Sequence, residues 1–276
     1  MSSAPASPAE TYEHYFVPSN FARWIPLHIE YATPQAGDRV LDVACGTGIV
    51  ARSVAPLVAP QGRVVALDLS PDMLAVARKL PAPDGAPIEW RDGDAVSLPD
   101  GPFDVVFCQQ GLQFVDDRSA AVREMTRVLA PGGRVVASVW QDLERQPVYA
   151  PMIEAEARFL GVDVPEVAGR PFCLGDPDEL RALFEAGAPS DLGRVDVVQA
   201  ERRVRFPSPE RFVALTVMAA GAVVPRLAEL DEAERAELVD AVTREIEPVL
   251  QRHTDGDAVA FTLHANLAIA TRRGSG

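Results

Sequence analysis

Two acids and a glycine turn are the residues of this sequence best placed to do chemistry. Val40-Leu-Asp-Val-Ala-Cys-Gly-Thr-Gly48 is an apolar run that ends in an acid and a glycine turn, followed by the apolar start of a helix. Val64-Val-Ala-Leu-Asp68 is a second apolar run ending in an acid, and Asp68 falls twenty residues past Gly48. Gly46 and Gly48 let the backbone turn tightly and let a ligand approach main-chain N–H groups. A carboxylate at the tip of the following strand can accept from two adjacent ribose hydroxyls. This pair of segments therefore reads as a nucleoside site.

Charge separates the candidate nucleosides. Gly46-Thr-Gly48-Ile-Val-Ala51 also fits a dinucleotide fingerprint with alanine in the last place, so a nicotinamide-dependent oxidoreductase stays open as an alternative. In a dinucleotide site, however, the glycine turn and helix N-terminus face a pyrophosphate, which a nearby carboxylate repels. Asp42 lies four residues before Gly46, at the strand tip beside the turn. An acid there suits a ligand bearing an ammonium or sulfonium and no phosphate, a description that S-adenosylmethionine meets. The plainer role for Asp42 is to tie down loop N–H groups, and the two roles can coexist.

Further along, Ile88-Glu-Trp-Arg-Asp-Gly-Asp-Ala95 puts Asp94 and Ala95 after a third short strand, about where an adenine would lie. Phe103-Asp-Val-Val-Phe-Cys108 is a fourth strand and opens onto Gln109-Gln110-Gly111-Leu112-Gln113-Phe114; Glu124 to Val139 then runs helix, Pro131-Gly-Gly133 turn, strand. With these segments in order, roughly residues 38 to 140 resemble the class I S-adenosylmethionine-dependent methyltransferases. The resemblance is to the small-molecule type found in ubiquinone and menaquinone biosynthesis. It implies that Asp42, Ala44, Gly46 and Gly48 hold the methionine part of the cofactor and Asp68 the ribose. Leu69 and Met73 would clamp the adenine, Asp94 and Ala95 would meet its edge, and Gln109 and Gln110 would run beside the methionine moiety. The plainer readings are helix-core packing for Leu69 and Met73 and solvated loop positions for the glutamines.

The elements that must position these residues alternate strand and helix, which predicts an α/β fold with a mostly parallel sheet covered on both faces. Strands are expected near 39–43, 63–67, 88–90, 103–108, 133–139, 194–206 and 259–271. The resemblance makes this a doubly wound seven-stranded sheet with the last strand antiparallel and helical lid insertions. Ser70-Pro71 reads as an N-cap with proline at the first helical position, Asp176-Pro-Asp-Glu179 and Asp231 to Glu234 as further helix starts. Asp116-Asp117 reads as a helix cap rather than a ligand pair. The expected organisation is an N-terminal helical lid over 1–36, a cofactor-binding core over 37–140, and completion of the sheet over 141–276. Lid insertions fall at about 141–175 and 207–258 in that last part.

Ligands of a doubly wound sheet sit at the carboxyl edge of its parallel strands, and the lid segments are expected to emerge over that edge. Tyr12, Tyr15, Phe16, Trp24, Phe212, Leu215 and Met218 are the candidate lining of a mainly apolar acceptor pocket, with helix packing as their plainer role. A sulfonium methyl is already activated, so alignment with an attacking atom supplies much of the rate, up to roughly 7–11 kcal/mol in favourable cases. A base helps only where the acceptor must lose a proton. His264 and His14 are the candidates for it, ahead of His28 and His253. O- or C-methylation is favoured over N-methylation; a cyclase or regulator that keeps the cofactor pocket and transfers nothing is the alternative from another class.

Twenty-six basic and forty acidic residues leave a net charge of −14, a field that repels nucleic acid and anionic membranes. Cys45, Cys108 and Cys173 have neither paired nor metal-ligand spacing, as expected of reduced thiols in a cytoplasmic protein. No metal is expected, since Gln109 and Trp140-Gln141 offer no oxygen-rich set where catechol-type enzymes hold magnesium. Residues 1 to 10 show no signal peptide, the apolar run Val213 to Val224 is too short to span a bilayer, and the expected state is a monomer or homodimer.

Overall fold

Apolar runs bounded by glycine and proline become eight strands in the computed structural model, which describes residues 7–187, 191–220 and 224–274. They are β1 (Arg39–Val43), β2 (Arg63–Asp68), β3 (Ile88–Asp92), β4 (Phe103–Gln109), β5 (Leu129–Trp140), β6 (Leu192–Phe206), β7 (Thr254–Asp255) and β8 (Ala258–Arg272). The sheet order is β3-β2-β1-β4-β5-β8-β6, with β7 paired to β8 off this path. β1 pairs in parallel with β2 and β4, β2 with β3, and β4 with β5. β8 is antiparallel to β5, from Arg134 opposite Thr271 to Trp140 opposite Ala265. The doubly wound, mostly parallel sheet with an antiparallel last strand is thus the architecture observed, with the small β7–β8 hairpin added.

Two sequence readings shift in detail. Pro131-Gly-Gly133, expected as a turn ahead of a strand, lies inside β5 as a bulge. Phe103 pairs with Leu129 but Val105 with Arg134, and Gly132 takes up the extra residues at a φ of 82°. The apolar run Val213–Val224 becomes the helix Pro209–Ala220 as far as residue 220; residues 221–223 lie outside the described residues. Among the described residues no helix is long and apolar enough to cross a membrane.

Among the described residues, eight helices of eight or more residues accompany the strands: α1 (Ile25–Ala32), α2 (Ile49–Val58), α3 (Pro71–Lys79), α4 (Arg118–Arg127), α5 (Tyr149–Leu160), α6 (Pro177–Gly187), α7 (Pro209–Ala220) and α8 (Glu232–Arg252). Their starts follow side-chain chemistry. Ser70 Oγ accepts from Met73 N (3.4 Å), Asp117 Oδ1 from Ala120 N (2.8 Å), and Asp231 with Glu234 closes a capping box.

The chain divides into two compact units. A sheet unit comprises 24–140, 174–200 and 265–276, and a helical unit 1–23, 141–173 and 201–264. In the sheet unit, Leu41, Val43, Leu67, Phe103, Val106, Met125, Leu180 and Phe184 are among the fully buried core residues. Alternation along β1, β2 and β4 sends these side chains to the faces covered by helices, leaving the strand tips for polar residues. The helical unit is built on rings. Phe206 lies within 4.8–5.8 Å of Tyr15, Phe212 and Phe261, and Tyr149 stacks edge-on to Phe212 and Phe261. Within it, α5 packs along α8, with Arg158 paired to Glu245 on the outside.

Candidate active site

Strand order reverses between β1 and β4 in the sheet unit, and the chain leaves both strands there into tight turns. After β1, Ala44, Gly46 and Gly48 adopt left-handed φ angles of 54°, 55° and 86°. Ala44 does so despite its Cβ, a strain on the order of 1–2 kcal/mol. After β4, Gln110 is likewise left-handed at 54°, and a Cβ on the next residue, Gly111, would lie 2.6 Å from that of Ala44. The two turns are therefore in close contact, and the absence of a side chain at Gly111 is what permits it.

Gly48 also answers to a packing demand. A Cβ there would fall on the indole ring of Trp90, so the missing side chain makes room for that ring of β3. Arg52, at the same turn, donates to the Thr47 carbonyl.

The two acids are held by backbone. Asp68 Oδ2 accepts from Gly46 N at 2.7 Å and Oδ1 from Ser70 N at 2.8 Å, which ties the tip of β2 to the turn after β1. Each oxygen retains a lone pair for a further donor such as a ribose hydroxyl. Burial raises the carboxyl's pKa, opposed by N–H donation from Ser70, Gly46 and Leu69. Asp42 is fully buried. Its Oδ2 accepts from Ala51 N at 3.0 Å, inside the first turn of α2, while Oδ1 has no partner among the described residues. Burial pushes this carboxyl up to about 8; the Ala51 N–H opposes the rise, Asp68 adds to it and Arg52 opposes it. An added cation at Oδ1 would restore the ionised form.

The remaining cofactor candidates sit on the same edge. Leu69 follows Asp68 with 71% of its surface exposed, unusual for leucine, and Met73 is half-buried on α3. Asp94 Oδ1 accepts from Val96 N at 3.2 Å, and Ala95 is buried beside it. Gln109 ends β4 opposite Ser138. Gln110 N donates to the Ser138 carbonyl (2.9 Å), and its Oε1 accepts from Gln113 Nε2 (3.1 Å), which leaves its own Nε2 without a partner among the described residues. Sequence reasoning missed Trp90 and Gln113. An aromatic two residues from a strand end was the only visible sign of the first, and none marked the second.

The histidines and the acceptor candidates are divided between the two units. His28 is buried in the sheet unit with Nδ1 at 3.0 Å from the Trp24 carbonyl and Nε2 at 3.0 Å from Ser138 Oγ, a structural arrangement. Trp24 is wholly buried in the same unit against Trp140 (5.6 Å); the other lining candidates belong to the helical unit. There Tyr12 leans on Phe21 (4.9 Å), Tyr15, Phe16 and Phe212 are buried, and Leu215 and Met218 are half-buried. His264 lies on β8 with Nδ1 3.9 Å from Glu201 Oε2, and its carbonyl accepts from Gln141 N and Gln146 Nε2. His14 is exposed, with Nδ1 2.8 Å from the Glu10 carbonyl of its own turn. No group of three or more potential metal ligands occurs among the described residues.

Residues 40–133 match a family described as a methyltransferase domain. The chain is 31% identical over 168 residues to a 2-phytyl-1,4-naphtoquinone methyltransferase of Synechococcus elongatus, covering 59% of this chain and 70% of that protein. The chain belongs to the class I S-adenosylmethionine-dependent methyltransferases. This methyltransferase is also 42% identical over 117 residues to a ubiquinone/menaquinone biosynthesis C-methyltransferase of Pseudomonas putida, covering 41% of this chain and 46% of that one. It thus spans about half the length of that relative. Its fold is shared with the YcgJ protein of Bacillus subtilis, at a TM-score of 0.54 and 20% identity over 91% of this chain and 98% of that one. Membership of the family makes the protein an enzyme and implies S-adenosylmethionine as its methyl source, and the nicotinamide alternative falls away.

Proposed function

We propose that this methyltransferase moves the methyl of S-adenosylmethionine to an oxygen or carbon of a small, largely apolar acceptor, using the strand-tip acids of the sheet unit to hold the cofactor. The observation that carries the cofactor assignment is the unpartnered Oδ1 of buried Asp42. It fits an ammonium, the group that S-adenosylmethionine would bring and a dinucleotide would not. Asp68 offers its spare lone pairs to the ribose diol, Leu69 and Met73 an apolar face to adenine, and Asp94 with the Ala95 N–H a complementary edge. Ala44, Gly46 and Gln109–Gln110 border the methionine end, and Gly48 contributes indirectly by seating Trp90.

Bound, the cofactor supplies a methyl already activated by its sulfonium. The chain's task is then to orient the acceptor, exclude water and take up a proton where the acceptor has one to lose. Tyr12, Tyr15, Phe16, Phe212, Leu215 and Met218 are the proposed acceptor contacts and His264 the proposed base; exposed His14 is the second candidate for that role, and Trp24 supports packing. The relatives' names point to quinone acceptors, and the ring-rich helical unit favours an oxygenated aromatic of that class.

Titration calorimetry with S-adenosylhomocysteine and with NAD tests the cofactor assignment. Binding of the first and not the second is expected, and it should be lost in Asp42→Ala. Unaltered affinity in Asp42→Ala would overturn the assignment. Methyl-labelled cofactor incubated with naphthohydroquinones tests the acceptor class.

A further inference from the structure

Gln110 combines two features that a solvated loop residue lacks. Its backbone is left-handed, at a φ of 54°, a strain on the order of 1–2 kcal/mol for a residue with a Cβ. Its side chain is buried, at 6% exposed, and Nε2 has no partner among the described residues. A buried amide N–H without an acceptor lowers stability, and an apolar side chain of similar shape would avoid that loss.

The surroundings hold both features in place. Gln110 N donates to the Ser138 carbonyl at 2.9 Å, and Ser138 Oγ is in turn 3.0 Å from Nε2 of buried His28. The next residue, Gly111, lies against Ala44 of the turn after β1. At the far end of the side chain, Oε1 accepts from Gln113 Nε2 at 3.1 Å, and Gln113 is wholly buried. The amide is thus anchored through its oxygen, and its nitrogen is the end left to meet a ligand.

Sheet order narrows the choice of ligand. The carboxyl edge runs β3-β2-β1-β4, and Asp42 of β1 lies opposite Phe107 of β4, three residues before Gln110. With adenine at Asp94, the ribose at Asp68 and the ammonium at Asp42, as proposed, the tip of β4 is the next place along that edge. It lies past the methionine end, on the side away from the nucleoside. The two acids disfavour a further anion close by, and Gln110 brings no positive charge to offset one. An uncharged oxygen suits its N–H.

We propose that Gln110 Nε2 donates a hydrogen bond to an uncharged oxygen, a carbonyl or a phenol, of the methyl acceptor. The bond fixes the acceptor beside the methionine end of the cofactor and selects for acceptors with an oxygen near the reacting atom. This deepens, and rests on, the reading of the strand tips as an S-adenosylmethionine site.

The test uses the full chain with S-adenosylhomocysteine present. Equilibrium dialysis compares the aromatic ketone 1-tetralone with tetralin, the same carbon skeleton without oxygen. Wild type is expected to prefer the ketone about tenfold, roughly one hydrogen bond. Gln110→Met, close in shape but with no donor, should lose that preference and bind tetralin as before. Its affinity for S-adenosylhomocysteine in calorimetry should stay within about threefold. Gln110→Ala gives the same ratio should the methionine variant not fold, since added room affects both probes alike. A ketone preference that persists in the variant, or is missing in wild type, overturns the assignment. So does a larger fall in S-adenosylhomocysteine affinity, because the amide would then serve the cofactor. Wild type that binds S-adenosylhomocysteine without preferring the ketone removes this role alone, whereas failure to bind it removes the cofactor site on which the role rests.

Discussion

The sheet unit and the helical unit each bury a carboxyl that is incompletely paired, but they hold it in different ways. Asp42 is at a strand tip, where one oxygen already accepts a backbone N–H of α2 and a second acid, Asp68, lies in the same hydrogen-bonded web. Glu156 sits in the middle of a helix, whose own N–H groups are spent on the helix, and its Oε1 has no partner among the described residues. Strand tips at a reversal of sheet order leave main-chain donors unspent and so can preorganise an anion. A helix face can present one only as a lone group. The sheet unit thus sets its acid among main-chain donors, whereas the helical unit sets one on an otherwise apolar helix face.

Breaking the sheet side of this contrast should produce the largest effect at Gly48. Gly48→Ala both strains a left-handed position and drives a Cβ into Trp90, so its melting temperature should fall steeply, with a loss of roughly 3 kcal/mol or more. Adding Trp90→Leu should recover part of it; no recovery in the double variant would show that strain alone is responsible.

Asp68→Ala comes next, because it removes the proposed ribose partner and releases the Gly46 and Ser70 N–H groups together. Its affinity for S-adenosylhomocysteine should drop by about 1.5–3 kcal/mol in calorimetry. A change no larger than twofold would assign Asp68 to the turn alone.

The two buried carboxyls sharpen the comparison through pH. Asp42 is raised to about 8 in the free protein, so binding an ammonium should expel its proton. Cofactor affinity should therefore increase as pH rises from 6 to 8, and Asp42→Asn should flatten the rise while weakening binding. Calorimetry in buffers of different ionisation enthalpy measures the released proton directly.

Glu156 bears on stability instead. Its folded pKa, about 8, lies above the ordinary 4.5, so the unfolded chain loses its proton first. The contribution is fully present below about pH 4.5 and is lost as pH rises through 8. Thermal melts should show a decline over that window that is shallower in Glu156→Gln. An identical slope in the variant would mean that the carboxyl is not held neutral.

His264→Ala should have the smallest effect, a modest fall in methyl transfer with cofactor affinity kept. Full turnover would reduce His264 to its backbone role of anchoring Gln146.

Comparing the two units also explains what was legible in advance. The turn after β1, Asp68, and the strands from 39 to 109 were readable because each depends on neighbours in sequence: an apolar run, a glycine, a cap such as Ser70. The antiparallel last strand came from resemblance, not from any local feature of residues 258–272. In the helical unit, Tyr15, Phe16 and Phe212 stood out as aromatics, but nothing local told packing from recognition. Glu156 went unnoticed because one acid in an otherwise amphipathic helix looks like any surface glutamate.

Sequence by itself thus determined the alternation of strand and helix, the acids at the two strand tips and the family, since these follow from short-range periodicity and spacing. Tertiary structure alone decided that Trp90 fills the space a side chain at Gly48 would need and that His28 is fully engaged with Trp24 and Ser138. It also decided that Asp42 keeps one oxygen unpaired and that Glu156 is buried. Each of these depends on which distant residue fills the space beside it, or fails to. That is a property of packing between segments far apart in the chain, which no local pattern encodes.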